Sequence, residues 1–172
     1  MERNWNKPPV AAPSGRVALT GLPAAAPTAP DPVDTTARVT RGVRRALAAR
    51  GHATVAEFAL RNGRRADVMA VDAKGTITIV EVKSSVADFR ADRKWREYRA
   101  YCDCFYFAVP DGFPVELIPD ECGLMVADAY DALLVRDAPL DPLNAARRKS
   151  LLLRFCLSAA GRLHRLEDPG YY

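Results

Sequence analysis

The stretch Arg64–Ser85, RRADVMAVDAKGTITIVEVKSS, reads as two strands joined by a tight turn. No other stretch limits the possible folds as much. Asp72-Ala73-Lys74-Gly75 separates two alternating apolar runs, a hairpin signal with glycine placed for the left-handed position. A three-residue loop at Ala73-Lys74-Gly75 pairs Asp72 with Thr76. That register sets Asp67 opposite Glu81 and Arg65 opposite Lys83. Side chains opposite each other share a face and lie roughly 5 Å apart. Register alone therefore gathers Asp67, Glu81 and Lys83 into one patch. The same face carries Met69, Val71, Ile77 and Ile79, and the other carries Val68, Ala70, Val80 and Val82. Strands apolar on both faces are covered on both sides. Charges at one end of them are costly unless paired or metal-bound.

Two carboxylates and a lysine at one strand end suit phosphodiester cleavage. Asp67 and Glu81 offer hard oxygen ligands for Mg²⁺ or Mn²⁺, ions that keep several waters and still take a phosphate oxygen. The carbonyl of Val82 is a candidate third protein oxygen. Lys83 can position the attacking water and stabilise charge on the phosphorane. A helix that begins at Ser85 would add free amides as an anion site. The competing reading is a structural network in which Arg65 and Lys83 neutralise Asp67 and Glu81. A carboxylate pair on otherwise apolar strands favours the metal site.

Around this hairpin the chain divides into three parts. Residues 1–33 hold seven of the thirteen prolines and no sustained period, which predicts a disordered or polyproline-like tail. A domain is expected over residues 34–167, with a short tail at 168–172. Asp34 is a candidate cap for a helix from about Thr35 to Arg50, stopped by Gly51. Val39, Val43, Ala46 and Leu47 form its apolar stripe, and Arg38, Arg41, Arg44, Arg45 and Arg50 occupy the rest. Those arginines read as a solvated face or, more sharply, as a phosphate-tracking surface.

Ala53–Leu60 alternates as a strand and ends near the turn dipeptide Asn62-Gly63. A two-residue turn sends Glu57 to the face away from Asp67; a three-residue loop at Asn62–Arg64 brings it to the same face. A one-residue slip reverses every side chain, and the sequence leaves both registers open. After the hairpin, Ser85-Val86-Ala87-Asp88 has capping-box form and predicts a helix to about Tyr101. Its core spacing is Ala91, Trp95, Tyr98 and Cys102, with Asp88, Asp92, Lys94, Trp95 and Tyr98 as weaker site candidates. Cys104–Val109 follows as a strand parallel to Thr76–Lys83. Short strands at Gly123–Ala127 and Ala132–Val135 form a hairpin. A helix from about Pro142 to Glu167 packs through Leu151, Leu152, Phe155, Ala159, Leu163 and Leu166. Its Arg147, Arg148, Lys149, Arg154, Arg162 and Arg165 read as a solvated basic flank.

Composition bounds these readings. A chain of 172 residues, 49% hydrophobic, can build one sizeable core. No apolar run reaches the roughly 18 residues of a membrane span. The N-terminus lacks a signal pattern, so a cytoplasmic, nucleoid-associated bacterial protein is expected. Net charge is +4 and the pI near 9.0, compatible with a polyanionic partner. Cys102, Cys104, Cys122 and Cys156 lack zinc-site spacing and are expected to be reduced.

The pattern of a helix, three meandering strands, a helix and a strand, with D…(D/E)-x-K across the second hairpin, resembles the PD-(D/E)xK nuclease superfamily. GRRADVMAVDAKGTITIVEVKSSVADFRADRKWREYRAYCDCFYFAVP is more closely similar to the MmcB-like DNA-repair proteins, to which endonuclease activity is ascribed. The resemblance spans about Asp34–Leu166. It implies an α/β fold with a restriction-endonuclease-like core (αβββαβ), its mixed sheet flanked by helices, plus a C-terminal helix. It also implies a DNA substrate and a divalent metal. Asp67 matches the motif's aspartate, Glu81 its acidic ligand and Lys83 its lysine. Ala66 stands where the superfamily name has proline. The first helix lacks the glutamate many members carry there, and Glu57 is the candidate replacement. The expectation is a Mg²⁺-dependent endodeoxyribonuclease acting in DNA repair, with other repair proteins as partners of the N-terminal tail and no membrane association. The alternative is a non-catalytic DNA-binding or adaptor module on the same fold.

Overall fold

The computed structural model describes residues 31–170. In chain order the elements are α1 (Pro32–Ala49), β1 (Ala53–Ala59), β2 (Arg65–Val71), β3 (Ile77–Val82), α2 (Val86–Ala91), a 3₁₀ segment (Trp95–Tyr101), β4 (Cys104–Val109), β5 (Gly123–Ala127), β6 (Ala132–Arg136) and α3 (Ala145–Glu167). One sheet holds all six strands in the order β1-β2-β3-β4-β5-β6. The β1/β2, β2/β3 and β5/β6 pairs are antiparallel, and β3/β4 and β4/β5 are parallel. This mixed sheet, flanked by helices and closed by a C-terminal helix, is the α/β architecture expected for the αβββαβ core.

Helix α1 starts earlier than its composition suggested. Asp31, not Asp34, caps it, with Oδ1 accepting the Val33 N–H at 2.8 Å. Pro32 follows at the first turn, where its missing N–H has no intrahelical acceptor to lose. Residues 31–33 therefore belong to the fold, and the rest of the expected tail lies outside the described residues. The expected stripe of Val39, Val43, Ala46 and Leu47 is buried against Val68, Ala70, Val80 and Val82 of the sheet. The opposite face packs Met69, Ile77, Ile79, Phe105 and Phe107 under Trp95, Tyr98, Leu151 and Phe155. Both faces of β3 are thus covered, as its unbroken apolar run requires.

The two N-terminal hairpins use one loop design. Asp72 N–H donates to Thr76 O and Gly75 N–H to Asp72 O, around Ala73-Lys74-Gly75. Leu60 N–H donates to Arg64 O and Gly63 N–H to Leu60 O, around Arg61-Asn62-Gly63. Gly63 and Gly75 share the left-handed backbone, each with φ of 80°. In β2/β3 this yields the expected register, Met69 opposite Ile79 and Val71 opposite Ile77. In β1/β2 the loop sits one residue earlier than either register weighed from sequence.

The helix expected from Ser85 to Tyr101 is broken. Helix α2 ends at Ala91, and Asp92 is extended (φ −85°, ψ 97°). Its Oδ1 accepts the Lys94 N–H at 2.9 Å while its Oδ2 is drawn to Lys83. Local bonding of this kind competes with the helical ladder. Ala91, expected in the core, is exposed; Trp95, Tyr98 and Cys102 are buried.

Helix α3 begins at Ala145, capped by Asn144, instead of Pro142. Its basic flank is only partly solvated: Arg147, Lys149 and Arg165 are exposed, whereas Arg148, Arg154 and Arg162 are half-buried. Arg148 makes a two-pronged pair with Asp103, at 2.6 and 2.7 Å, and Asp103 is 2% exposed. Asp103 also accepts the N–H groups of Ile77 and Leu143, so one carboxylate ties β3, α3 and the segment before α3. Arg154 donates to Ala59 O, and Arg162 to Ala56 O and Glu57 O, fastening α3 to strand β1. Leu163 and Leu166, expected to pack, are exposed. No helix among the described residues is long and apolar enough to cross a membrane.

Candidate active site

The β2/β3 ladder runs to Val68 opposite Val80. One step beyond, where Asp67 faces Glu81, bonding passes from main chain to side chain. Asp67 N–H donates to Glu81 Oε1 at 3.2 Å, and Val82 N–H donates to Asp67 Oδ2 at 2.8 Å. Each strand's carboxylate is thus held by the other strand's backbone. Asp67 Oδ1 and Glu81 Oε2 take no hydrogen bond among the described residues, which leaves one oxygen of each available.

The pair lies at a hollow of about 360 Å³ together with Thr36, Val82, Lys83 and Tyr98. Thr36 brings α1 to the site, and Tyr98, whose hydroxyl donates to Arg65 O at 3.2 Å, brings the 3₁₀ segment. Asp88, Asp92 and Lys94 also border the hollow, whereas Trp95 belongs to the core.

Electrostatics separates these charges into two groups. Glu81 is 4% exposed, and burial, reinforced by the nearby Asp67 charge, pushes its pKa up to about 9. Burial raises Asp67 as well, against the Val82 N–H and the Lys83 charge. Neither carboxylate forms an ion pair among the described residues. Arg65 pairs with Glu57, and Lys83 Nζ lies 2.6 Å from Asp92 Oδ2. Burial alone would lower Lys83, but the Asp92 hydrogen bond and charge outweigh it and hold the ammonium above its usual range. Asp92 is correspondingly lowered, the Lys83 bond overcoming burial. The four-charge network envisaged from sequence does not form.

Glu57 stands apart. It faces Asp67 across β1/β2, between the pairs Ala56–Val68 and Phe58–Ala66. Its backbone is left-handed, with φ of 52°, uncommon for a non-glycine residue. Alternation along β1 breaks there, and Val55 and Phe58, three residues apart, enter the same core cluster. The Glu57 side chain engages Arg65 and is exposed, and it does not border the hollow.

Two of the amides after Lys83 are already used. Ser85 Oγ accepts the Asp88 N–H at 3.1 Å, and Asp88 Oδ2 accepts the Ser84 N–H at 3.0 Å. The Asp88 carboxylate thus takes one of the amides beside the expected anion site. The Asp92 contact to Lys83 was missed by sequence reasoning. Its one sequence signal is a helix-disfavouring Asp two residues before Lys94, within the predicted helix.

The donor set can be compared with the needs of a small hard cation. No group of three or more His, Cys, Asp or Glu side chains among the described residues is arranged to hold an ion. Two carboxylates with free oxygens nevertheless suit Mg²⁺, which uses one or two carboxylates and completes its shell with water and substrate phosphate.

A family model described as DNA repair protein MmcB-like matches residues 25–170. Among solved structures the chain is similar to one described as SPO1766 protein of unknown function from Silicibacter pomeroyi. The two are 50% identical with a TM-score of 0.77, over 78% of this chain and 92% of that one. No curated protein matches the chain.

Proposed function

This chain belongs to the family of MmcB-like DNA repair proteins, and on that premise we propose that it is a divalent-metal-dependent endonuclease hydrolysing DNA phosphodiester bonds. The observation that supports this most is the Asp67–Glu81 pair: a half-buried and a buried carboxylate, oriented by each other's strand, with no cation paired to them among the described residues. Such a pair is costly unless a cation or a proton joins it. Asp67, Glu81 and the carbonyl of Val82 would hold Mg²⁺ or Mn²⁺. Bound there, the ion would supply Lewis-acid stabilisation of phosphate charge and an acidified water.

The chain's own residues do the rest. The Val82 and Asp67 N–H groups fix the two carboxylates, so their free oxygens need no reordering when a cation arrives. Lys83, kept charged by Asp92, stands beside them to orient the water and stabilise the negative charge that develops on phosphate. Tyr98 and Thr36 line the hollow. Glu57 is left out of this ligand set because its exposed side chain does not border the hollow.

A second reading, a non-catalytic DNA-binding or adaptor module, is favoured by one feature, the tethering of Lys83 to Asp92. Incubation of the protein with nicked, branched, duplex and single-stranded DNA, with Mg²⁺, Mn²⁺ or chelator, separates the two. The expected result is metal-dependent cutting that is lost in Glu81→Gln and Lys83→Ala. Binding without cutting under every metal would establish the module instead.

A further inference from the structure

Between α1 and β1 runs a groove of about 760 Å³, lined among others by Thr36, Arg41, Arg44, Arg45, Ala56 and Glu57. Thr36 also borders the hollow of the Asp67–Glu81 pair, so the two depressions adjoin at that residue. Several arginines elsewhere on the domain are ion-paired, Arg64 with Glu97, Arg96 and Arg99 with Glu121, Arg136 with Asp120 and Arg148 with Asp103. Arg50, Arg61, Arg90 and Arg93 are exposed and scattered, with no ion pair among the described residues. The three groove arginines are clustered within five residues of α1. All are exposed, and none forms an ion pair among the described residues; Arg44 makes one hydrogen bond, to Thr54 Oγ1 at 3.3 Å. The one carboxylate in the groove, Glu57, is already neutralised by Arg65.

We infer that this groove is the track along which the phosphate backbone of duplex DNA approaches the Asp67–Glu81 hollow. Three exposed guanidiniums within little more than one turn of one helix present bidentate donors to phosphate oxygens. Arg41 and Arg45 are about 6 Å apart along the helix axis and point the same way, which suits successive contacts along a strand. No aromatic side chain lines the groove among the described residues, so unpaired bases would find no stacking platform there. Phosphate contact without base contact gives sequence-independent, salt-sensitive binding to duplex. The inference rests on the endonuclease reading for the destination of the strand, but not for the binding itself.

The test is anisotropy of two fluorescent duplexes of unrelated sequence, titrated with full-length protein in chelator across a salt series. Arg41→Gln/Arg44→Gln/Arg45→Gln should bind both duplexes at least about tenfold more weakly, with the log–log salt slope reduced by about 2 to 3, near 0.9 per lost phosphate contact. The paired-arginine control Arg96→Gln/Arg99→Gln should bind like the parent, and a matching single strand should bind less tightly than duplex. If the triple variant does not fold, Arg45→Gln alone should lower the slope by about 1. An unchanged slope in the groove variants, an equal loss in the control, or displacement of DNA by polyglutamate at equal charge would overturn the inference. Loss of binding in the groove variant, from a parent that cuts DNA with no metal tested, would retain the track and reject the endonuclease.

Discussion

Lys83 and Asp92 form a partly buried ion pair, with Nζ 2.6 Å from Oδ2 and the two side chains 7% and 18% exposed. The contact joins the end of β3 to the break between α2 and the 3₁₀ segment. Removing Asp92 leaves burial as the dominant influence on Lys83 and so lowers its pKa. If Lys83 works as a cation, Asp92→Asn should cut DNA roughly 10- to 100-fold more slowly, the range for groups that orient a working residue. Its alkaline limb should also move to lower pH. A pH–rate profile of parent and variant checks both, and a uniform loss with an unmoved limb would assign Asp92 a merely structural part.

Glu81 supplies a stability prediction whose sign is opposite to that of an ordinary surface carboxylate. Its pKa rises from 4.5 to about 9 on folding, so between those values the metal-free folded chain holds a proton that the unfolded chain releases. Stability of the metal-free protein should therefore fall as pH rises through this window, by at most about 1.4 kcal/mol per pH unit. Glu81→Gln copies the protonated form. In chelator it should melt at or above the parent, with a gap that widens from acid toward pH 9. Mg²⁺ should raise the parent's melting temperature and leave that of the variant unmoved.

Glu57 offers a direct separation of geometry from ligation. Its left-handed backbone disfavours any side chain with a Cβ, and glycine relieves about 1 kcal/mol. Glu57→Gly should keep most of that gain in chemical denaturation, since the exposed Arg65 pair contributes little. Cutting should stay within about threefold of the parent, an effect below 1 kcal/mol. A loss as deep as that of Glu81→Gln would return Glu57 to the ligand set.

Asp103 should govern acid stability. Burial alone would raise its pKa, but Arg148 and the N–H groups of Ile77 and Leu143 hold it below the usual carboxylate range. Its contribution is present above the unfolded value near 3.9 and is lost as pH falls through the folded value. Asp103→Asn leaves the half-buried Arg148 without a counter-charge and should cost about 3 kcal/mol, measurable by urea unfolding at neutral pH. The difference between variant and parent should shrink as the pH is lowered below 4.

Much of the fold was legible because it rests on local rules. Alternation and the Asp-Ala-Lys-Gly loop set the β2/β3 register, and with it Asp67 opposite Glu81, because a strand has a fixed period and the loop a fixed length. The α1 stripe followed from helical spacing. The helix through Asp92 was misread because its interruption depends on Lys83, nine residues earlier on another element. Arg148 was misread as solvated because Asp103, its counter-charge, lies 45 residues away in sequence.

The sequence by itself determined which side chains share the central patch, since pairing across a tight hairpin is decided within some twenty residues. Tertiary structure alone decided how those charges are shared out. Arg65 goes to Glu57, Lys83 to Asp92, and Asp67 and Glu81 are left with each other's backbone. It also decided the fate of Glu57, where Arg162 of α3 donates to the Ala56 and Glu57 carbonyls from more than a hundred residues away. The reason is range: periodicity and turn chemistry act between neighbours in the chain. Ion-pair choice and backbone distortion depend on which distant element supplies the nearest donor.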